Sequence, residues 1–285
     1  MIKDRLFDIL MPLLPKNDLS HWVGRAVHKK MPGPLGPLSV EAFAHYYKIN
    51  MNEAEKPIGE YESIGALFTR KLKAGVRPIG AGVVHPCDAV ISQVGVIEAG
   101  QCIQAKDKDY SVAELLRSSH WAERFEGGLF ITYYLCPTDY HRVHAPITGK
   151  IPWLMHAPGE LWPVNEWSVE TIENLFTVNE RIAFLIEESS VAKAAAVVMV
   201  AATNVGNMTV SFDEQVLTNV REPERHAKER VYSTPPVIKK GDEVGVFHMG
   251  STVVMLYEKG LLKADPQELI HKLKGQAVKM GEKVL

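Results

Sequence analysis

The sequence predicts an α+β protein, with N-terminal amphipathic helices followed by a mostly antiparallel β core. Three observations lead there. Apolar residues in the first third recur at helical spacing. From about residue 79 onward, short apolar runs alternate with Gly, Pro, Asn and Asp turns. The 285 residues are 46% hydrophobic and 23% charged, with a formal net charge of −2, which suits a globular chain with a sizeable core.

Taken in order, MIKDRLFDILMPLLPK places Leu6, Ile9, Leu10, Leu13 and Leu14 on one helical face, with Lys3, Asp4, Arg5 and Asp8 opposite. Pro12 ends or kinks this helix. A second helix, SHWVGRAVHKK, is expected from Ser20 as N-cap and closes on Lys29 and Lys30, which suit a helix C-terminus. Two such helices with Trp22 and basic residues either lie in a membrane interface or pack on the core or a partner. MPGPLGPLS (31–39) reads as a hinge, separating a helical segment 1–38 from an α+β domain 39–285.

Beyond the hinge, SVEAFAHYYKIN starts a helix at Ser39 and repeats Val40, Phe43 and Tyr47. SIGALFTRKLK starts another at Ser63, with Ile64, Leu67, Phe68 and Leu72 on one side. Ser111 and Glu114 form a capping box ahead of Leu115 and Leu116, so 111–118 is one short helix. The strand segments are VVHPCDAVISQVGVI, GGLFITYYL, RIAFLIEE, AAAVVMVAATNVGNMTVSF and KKGDEVGVFHMGSTVVMLYE. The stretches 84–91 and 143–151 echo each other as strand, Pro-containing turn and strand. The last segment holds an anomaly. Met249-Gly250-Ser251-Thr252 interrupts an otherwise excellent buried strand, although Gly and an unpaired hydroxyl weaken a strand interior.

Several function classes recede at this stage. The near-neutral charge offers no footprint for nucleic acid. The longest uncharged apolar run, 194–203, is half the length a bilayer helix needs. The N-terminus has neither the h-region of a signal peptide nor the composition of a transit peptide. Cys87, Cys102 and Cys136 are odd in number and widely spaced, which points to buried thiols in a reducing compartment. No metal site is expected: the ring positions of His141-x-x-His144 would face opposite sides of a strand, and no third ligand is evident.

Asp, His and Ser far apart in sequence are the ingredients of an activated hydroxyl. The base is His144 or His141, the orienting acid Asp88 or Asp139, and the hydroxyl Ser251, with Asn179-Glu180-Arg181 a further polar cluster. These residues alone admit an Asp–His–Ser serine hydrolase acting on an external ester. KKGDEVGVF and HAPITGKI also echo the turns of biotinyl and lipoyl carrier modules, but the tight turn lacks the exposed Lys that a carrier needs.

Six segments in order, SIGALFTRKLKAGVRPI, HPCDAVIS, GGLFITYYLCPTDYHRVHAPITGKI, GELWPVN with NLFTVNERIAF, VVMVAATNVGNM and IKKGDEVGVFHMGSTVVMLYE, resemble the pyruvoyl-dependent phosphatidylserine decarboxylases from about residue 58 to 258. The resemblance implies a proenzyme that cuts itself between Gly250 and Ser251 into a β chain, 1–250, and an α chain, 251–285, held as a heterodimer; a dimer of these is left open. It implies that Asp88 orients His144, that His144 deprotonates Ser251, and that Ser251 becomes the covalent pyruvoyl cofactor. The pyruvoyl carbonyl would then take up the amine of phosphatidylserine as a Schiff base, and His141 would donate a proton after CO2 leaves. It also implies a membrane surface as partner and a peripheral site on the cytoplasmic side of the cell membrane. Another serine-headgroup lipid or a related amine remains an alternative substrate. Three departures from the family pattern are Met249 before Gly250, Ala89 after Asp88, where the β-carbon disfavours positive φ, and Asp107 beside Lys106.

Overall fold

The computed structural model describes residues 27–31, 33, 35–105, 108–188, 190–203, 207–219, 226–248 and 251–285, with Ser251 described by its backbone. The expected helix at 6–14, nearly all of the expected helix from Ser20, and Lys106, Asp107, Met249 and Gly250 lie outside the described residues.

In chain order, α1 spans Leu35–Tyr46 and α2 Ile64–Phe68. Then come β1 (Ala89–Val96), β2 (Gln101–Ala105), β3 (Lys108–Ser111), α3 (Val112–Leu116) and α4 (Ser119–Ala122). β4 (Leu129–Leu135), β5 (Arg142–His144), β6 (Gly149–Lys150) and β7 (Trp153–Ala157) precede α5 (Glu166–Thr171) and α6 (Leu175–Val178). The chain continues through β8 (Arg181–Glu188), β9 (Lys193–Val200), β10 (Met208–Val210), β11 (Lys228–Val231), β12 (Val237–Ile238), β13 (Glu243–Phe247) and β14 (Ser251–Tyr257). It closes with α7 (Pro266–Leu273) and β15 (Ala277–Val278). Every pairing between these strands is antiparallel, so the α+β expectation holds.

The main sheet runs β11-β7-β8-β9-β14-β4-β1-β15, with β6 and β12 branching from it. Its middle strands are apolar along their whole length, because both faces are covered. β9 is buried from Ala194 to Val200, and β14 from Thr252 to Tyr257. A second sheet, β10-β13-β5, lies against it, with Gly245 of β13 facing β9. A β-carbon at Gly245 would come within 2.6 Å of Met199 Sδ and 2.9 Å of Thr209 O, so glycine sets the spacing there.

The interrupted strand of the sequence resolves differently from the expectation of one strand. β13 and β14 belong to different sheets, and the chain changes sheet between Phe247 and Ser251. Ser251 opens β14 opposite Leu135 of β4, and Thr252 pairs with Val200 of β9.

Other differences are local. α1 begins at Leu35 rather than Ser39, since Pro37 falls in its first turn, where a missing N–H costs nothing. The Ser39 hydroxyl donates to Gly36 O instead of capping. α1 packs Val40 and Ala44 with Ile49, Tyr61 and Leu67 in a small core of its own. α2 starts where expected, with Ser63 Oγ accepting from Ala66 N, but stops at Phe68 rather than Leu72. The Thr69 carbonyl is taken by Arg142, and Lys71 and Lys73 pair by backbone with Glu55 and Glu53. Ser111 caps α3 as expected, and Arg117 at positive φ ends it early. α7 was not anticipated, although Asp265 as N-cap followed by Pro266 is a readable start signal. The two echoing segments face each other: Val84 N donates to Pro146 O, and His144 N donates to Pro86 O.

Candidate active site

Asp88 lies in the turn ahead of β1 and is almost wholly buried. Ala89 begins β1 and does not adopt positive φ, so its β-carbon causes no strain. The carboxylate accepts from Arg77 Nε (3.0 Å) and Nη2 (2.6 Å), from Met280 N (2.9 Å) and from Lys279 Nζ (3.2 Å). Burial pushes its pKa up, but Arg77, the Met280 amide and Lys279 outweigh burial and hold it below the usual carboxylate value. Arg77 also donates to Glu53 at 2.7 Å. Sequence reasoning missed Arg77, since a lone arginine in the GVRPI run gives no local sign of a carboxylate partner eleven residues on.

His144 ends β5. Its Nδ1 lies 2.8 Å from Gly241 O and its Nε2 3.0 Å from the Tyr140 hydroxyl. A carbonyl can only accept, so Nδ1 carries the proton of the neutral ring, and Nε2 accepts from Tyr140. Burial lowers the pKa of His144 and keeps the ring neutral. Its orienting partner in this structure is therefore Gly241, while Asp88 acts on the ring through its charge.

His141 stands just before β5, so the two histidines do not share a strand and the expected opposition of their faces does not arise. It is fully buried, packed against Phe68 with ring centroids 4.0 Å apart and the rings tilted by 43°. Its Nδ1 donates to Asp139 O at 3.0 Å, which again leaves the lone pair on Nε2. That Nε2 is buried and has no hydrogen-bond partner among the described residues. Burial pulls its pKa down to about 3, with nearby Arg70 adding to the effect. Arg70 Nη2 donates to Thr138 O and to the same Asp139 O, so a buried guanidinium braces the carbonyl that fixes the His141 tautomer. The Asp139 carboxylate closes its own turn by accepting from Cys136 N and orients neither ring.

Backbone pairing links the turn that carries His141 to Ser251. Leu135 at the end of β4 pairs with Ser251, and the turn that follows leads to His141, whose carbonyl accepts from Phe247 N at the end of β13. The turn carrying Asp139, Tyr140 and His141 is thus clipped to both strands that flank the 250–251 bond. Asn179-Glu180-Arg181 lies elsewhere and is structural. Asn179 bonds Trp162 and Ala201, Glu180 accepts from His156 (2.8 Å) and Asn219 N (2.8 Å), and Arg181 donates to Glu114 O and Leu115 O.

A buried ring nitrogen with no partner among the described residues, three residues from a second histidine of fixed tautomer, is suited to proton transfer, a task that a carrier module does not have. The class defined by the fold and the site is an α+β enzyme. The sequence signature of the family described as phosphatidylserine decarboxylase matches residues 64–285. A phosphatidylserine decarboxylase proenzyme of Anaeromyxobacter sp. (strain K) is 42% identical over 93% of this chain and 94% of its own length. One from Myxococcus xanthus is 43% identical over 90% and 91%, and one from Brevibacillus brevis 38% over 91% of each. The chain belongs to the phosphatidylserine decarboxylase family and is a carboxy-lyase. Family membership decides against the hydrolase and carrier readings.

Proposed function

We propose that this chain converts phosphatidylserine to phosphatidylethanolamine and CO2 after cutting itself between Gly250 and Ser251 and turning Ser251 into a covalent pyruvoyl group. The observation that carries this reading is the change of sheet between Phe247 and Ser251. A cut there parts two strands that share no ladder. The α chain keeps β14 bonded to β4 and β9, β15 bonded to β1, and the Met280 amide on Asp88. The two products then stay together as a heterodimer.

The residues present suit the pyruvoyl group. Ser251 supplies its atoms at the head of a strand enclosed on both sides, and Nε2 of His141, buried and without a partner among the described residues, marks a place for proton exchange. The chemistry that such a group brings is an electron sink for the carbanion left when CO2 departs. His144 is the base of self-processing, its Nδ1–H anchored on Gly241 so that only Nε2 can take a proton. Asp88 contributes negative charge that favours the protonated ring. His141 serves turnover. The substrate ammonium must lose a proton before its nitrogen reacts, and the carbon that loses CO2 must gain one. A neutral His141 receives the first proton on Nε2 and returns it to the second.

A lipid substrate requires docking at a bilayer, and we place the enzyme peripherally on the cytoplasmic side of the cell membrane. Met31, Leu35, Leu38 and Tyr46, at and beside α1, are exposed apolar side chains suited to such a surface.

Intact mass spectrometry of the purified protein tests the reading. The expected result is a small fragment beginning at residue 251, with a blocked ketone end that reacts with borohydride or hydroxylamine. A single full-length mass would overturn it.

A further inference from the structure

Phe68 ends α2, and Phe68, Thr69 and Arg70 together clamp the chain from Thr138 to Arg142. The Phe68 ring packs on the His141 ring. The Thr69 carbonyl accepts from Arg142 Nε at 3.0 Å and Nη2 at 2.7 Å. Arg70 Nη2 donates to Thr138 O at 3.0 Å and to Asp139 O at 3.2 Å. The Asp139 carbonyl is also the one that takes the Nδ1 proton of His141. Arg70 is buried, and among the described residues no carboxylate accepts from it and its Nε and Nη1 have no hydrogen-bond partner. Buried guanidinium groups are ordinarily paired with carboxylates, because an uncompensated buried charge costs stability. A neutral donor would tie the turn to α2 equally well, so a role in holding the turn leaves the charge of Arg70 unexplained.

We propose that Arg70 is a positioning residue for decarboxylation: by holding the Asp139 carbonyl it fixes the orientation and tautomer of His141, and its charge opposes a second proton on that ring. The proposal rests on the reading of His141 as the proton carrier of turnover. With Nδ1–H locked on Asp139 O, Nε2 is the only ring position open to a proton, and a ring already charged could not receive one. Burial is the main cause of the neutral ring. The hydrogen bond to Asp139 O works against it, Arg70 supports it, and the charge of Asp88 works against it again. Arg70 therefore offsets what the Asp139 bond and Asp88 would otherwise add. The three influences reach the ring from separate elements: Arg70 from the segment after α2, Asp139 from the ring's own turn, and Asp88 from the turn ahead of β1.

The test uses the full-length protein and phosphatidylserine in mixed micelles. Arg70→Gln keeps an N–H donor and removes the charge. Its kcat should fall roughly tenfold or more with KM little changed, the cost of a loosened catalytic ring. Without the cation His141 protonates more easily, so the acid limb of the kcat/KM profile should move to higher pH by about one pH unit. Arg70→Lys restores the charge and should bring the limb back towards that of wild type. A side chain that only ties the turn to α2 would not affect the limb, so an unmoved limb in Arg70→Gln overturns the proposal. Wild-type protein labelled with 15N-histidine gives a check that needs no variant. At neutral pH the His141 ring should be uncharged with its proton on Nδ1, and a proton on Nε2 overturns the proposal even if both variants misfold. His141→Ala separates the two possible failures. If it decarboxylates at the wild-type rate, the turnover reading of His141 is lost and the proposal with it. If it is inactive while the limb of Arg70→Gln stays put, the proposal alone is lost.

Discussion

Arg77 grips Asp88 with two parallel hydrogen bonds, Nε to Oδ1 at 3.0 Å and Nη2 to Oδ2 at 2.6 Å, and both side chains are almost completely withdrawn from water. Buried carboxylates are tolerated only with this quality of pairing. Arg77→Met leaves Asp88 with Lys279 and Met280 N alone. Unfolding in urea should show a loss of about 3–5 kcal/mol. Lys at position 77 restores charge but not the fork, so it should recover only part of the loss. An Arg77→Met protein as stable as wild type would contradict this account.

The two histidines should separate in function. His144→Ala removes the nitrogen that Tyr140 addresses and should leave an uncut chain on a denaturing gel. His141→Ala removes the Nε2 that has no partner among the described residues and should still cut, while its CO2 release falls by roughly a hundredfold or more. An uncut His141→Ala protein would refute the division.

Acid should destabilise the protein early. His141 is depressed to about 3, and His85 and His248 to about 4, each mainly by burial. The unfolded chain takes up these protons near pH 6.5, the folded chain only far below. The stability they contribute is complete above about pH 6.5 and drains away as pH falls towards 4. Asp88, also depressed, adds a loss only below its unfolded value near about 3.9. Thermal melts from pH 7.5 to 4 should show a falling midpoint that begins below about pH 6.5. A flat midpoint over that range would contradict the assignment of neutral buried rings.

Gly245→Ala should cost about 1–3 kcal/mol, because the added carbon meets Met199 Sδ and the Thr209 carbonyl where the small sheet crosses β9. Met199→Ala in the same chain should recover some of that cost. The measure is chemical denaturation of each variant alone and of the pair.

Deleting residues 1–30 should reduce flotation with anionic liposomes more than it slows self-cleavage. Unchanged flotation would rule out those residues as the main membrane contact.

Much of the candidate site was legible in the sequence, because its proposed chemistry depends on residue types that local sequence displays. A β-hydroxyl residue after glycine, a carboxylate in a Pro-containing turn and paired histidines each announce a capacity, and their order carried the family resemblance. The caps at Ser63 and Ser111 were readable for the same reason, since a side-chain oxygen reaches an amide three residues on. Partners distant in sequence were not readable. Arg77 with Asp88, Gly241 with His144 and Arg70 with the Asp139 carbonyl are brought together by strand pairing and by the packing of α2, which no local pattern records. The interrupted strand shows the division best. Sequence marked Gly250-Ser251 as an anomaly inside one apolar run. Only the tertiary structure assigned VGVF and STVVMLY to separate sheets, because choosing a hydrogen-bonding neighbour is a long-range event that alternating hydrophobicity leaves open. By itself, then, the sequence determined the family, the candidate reacting groups and the α+β class. The fold decided which neighbour holds each group, and hence which ring nitrogen is bonded to Tyr140 and which has no partner among the described residues.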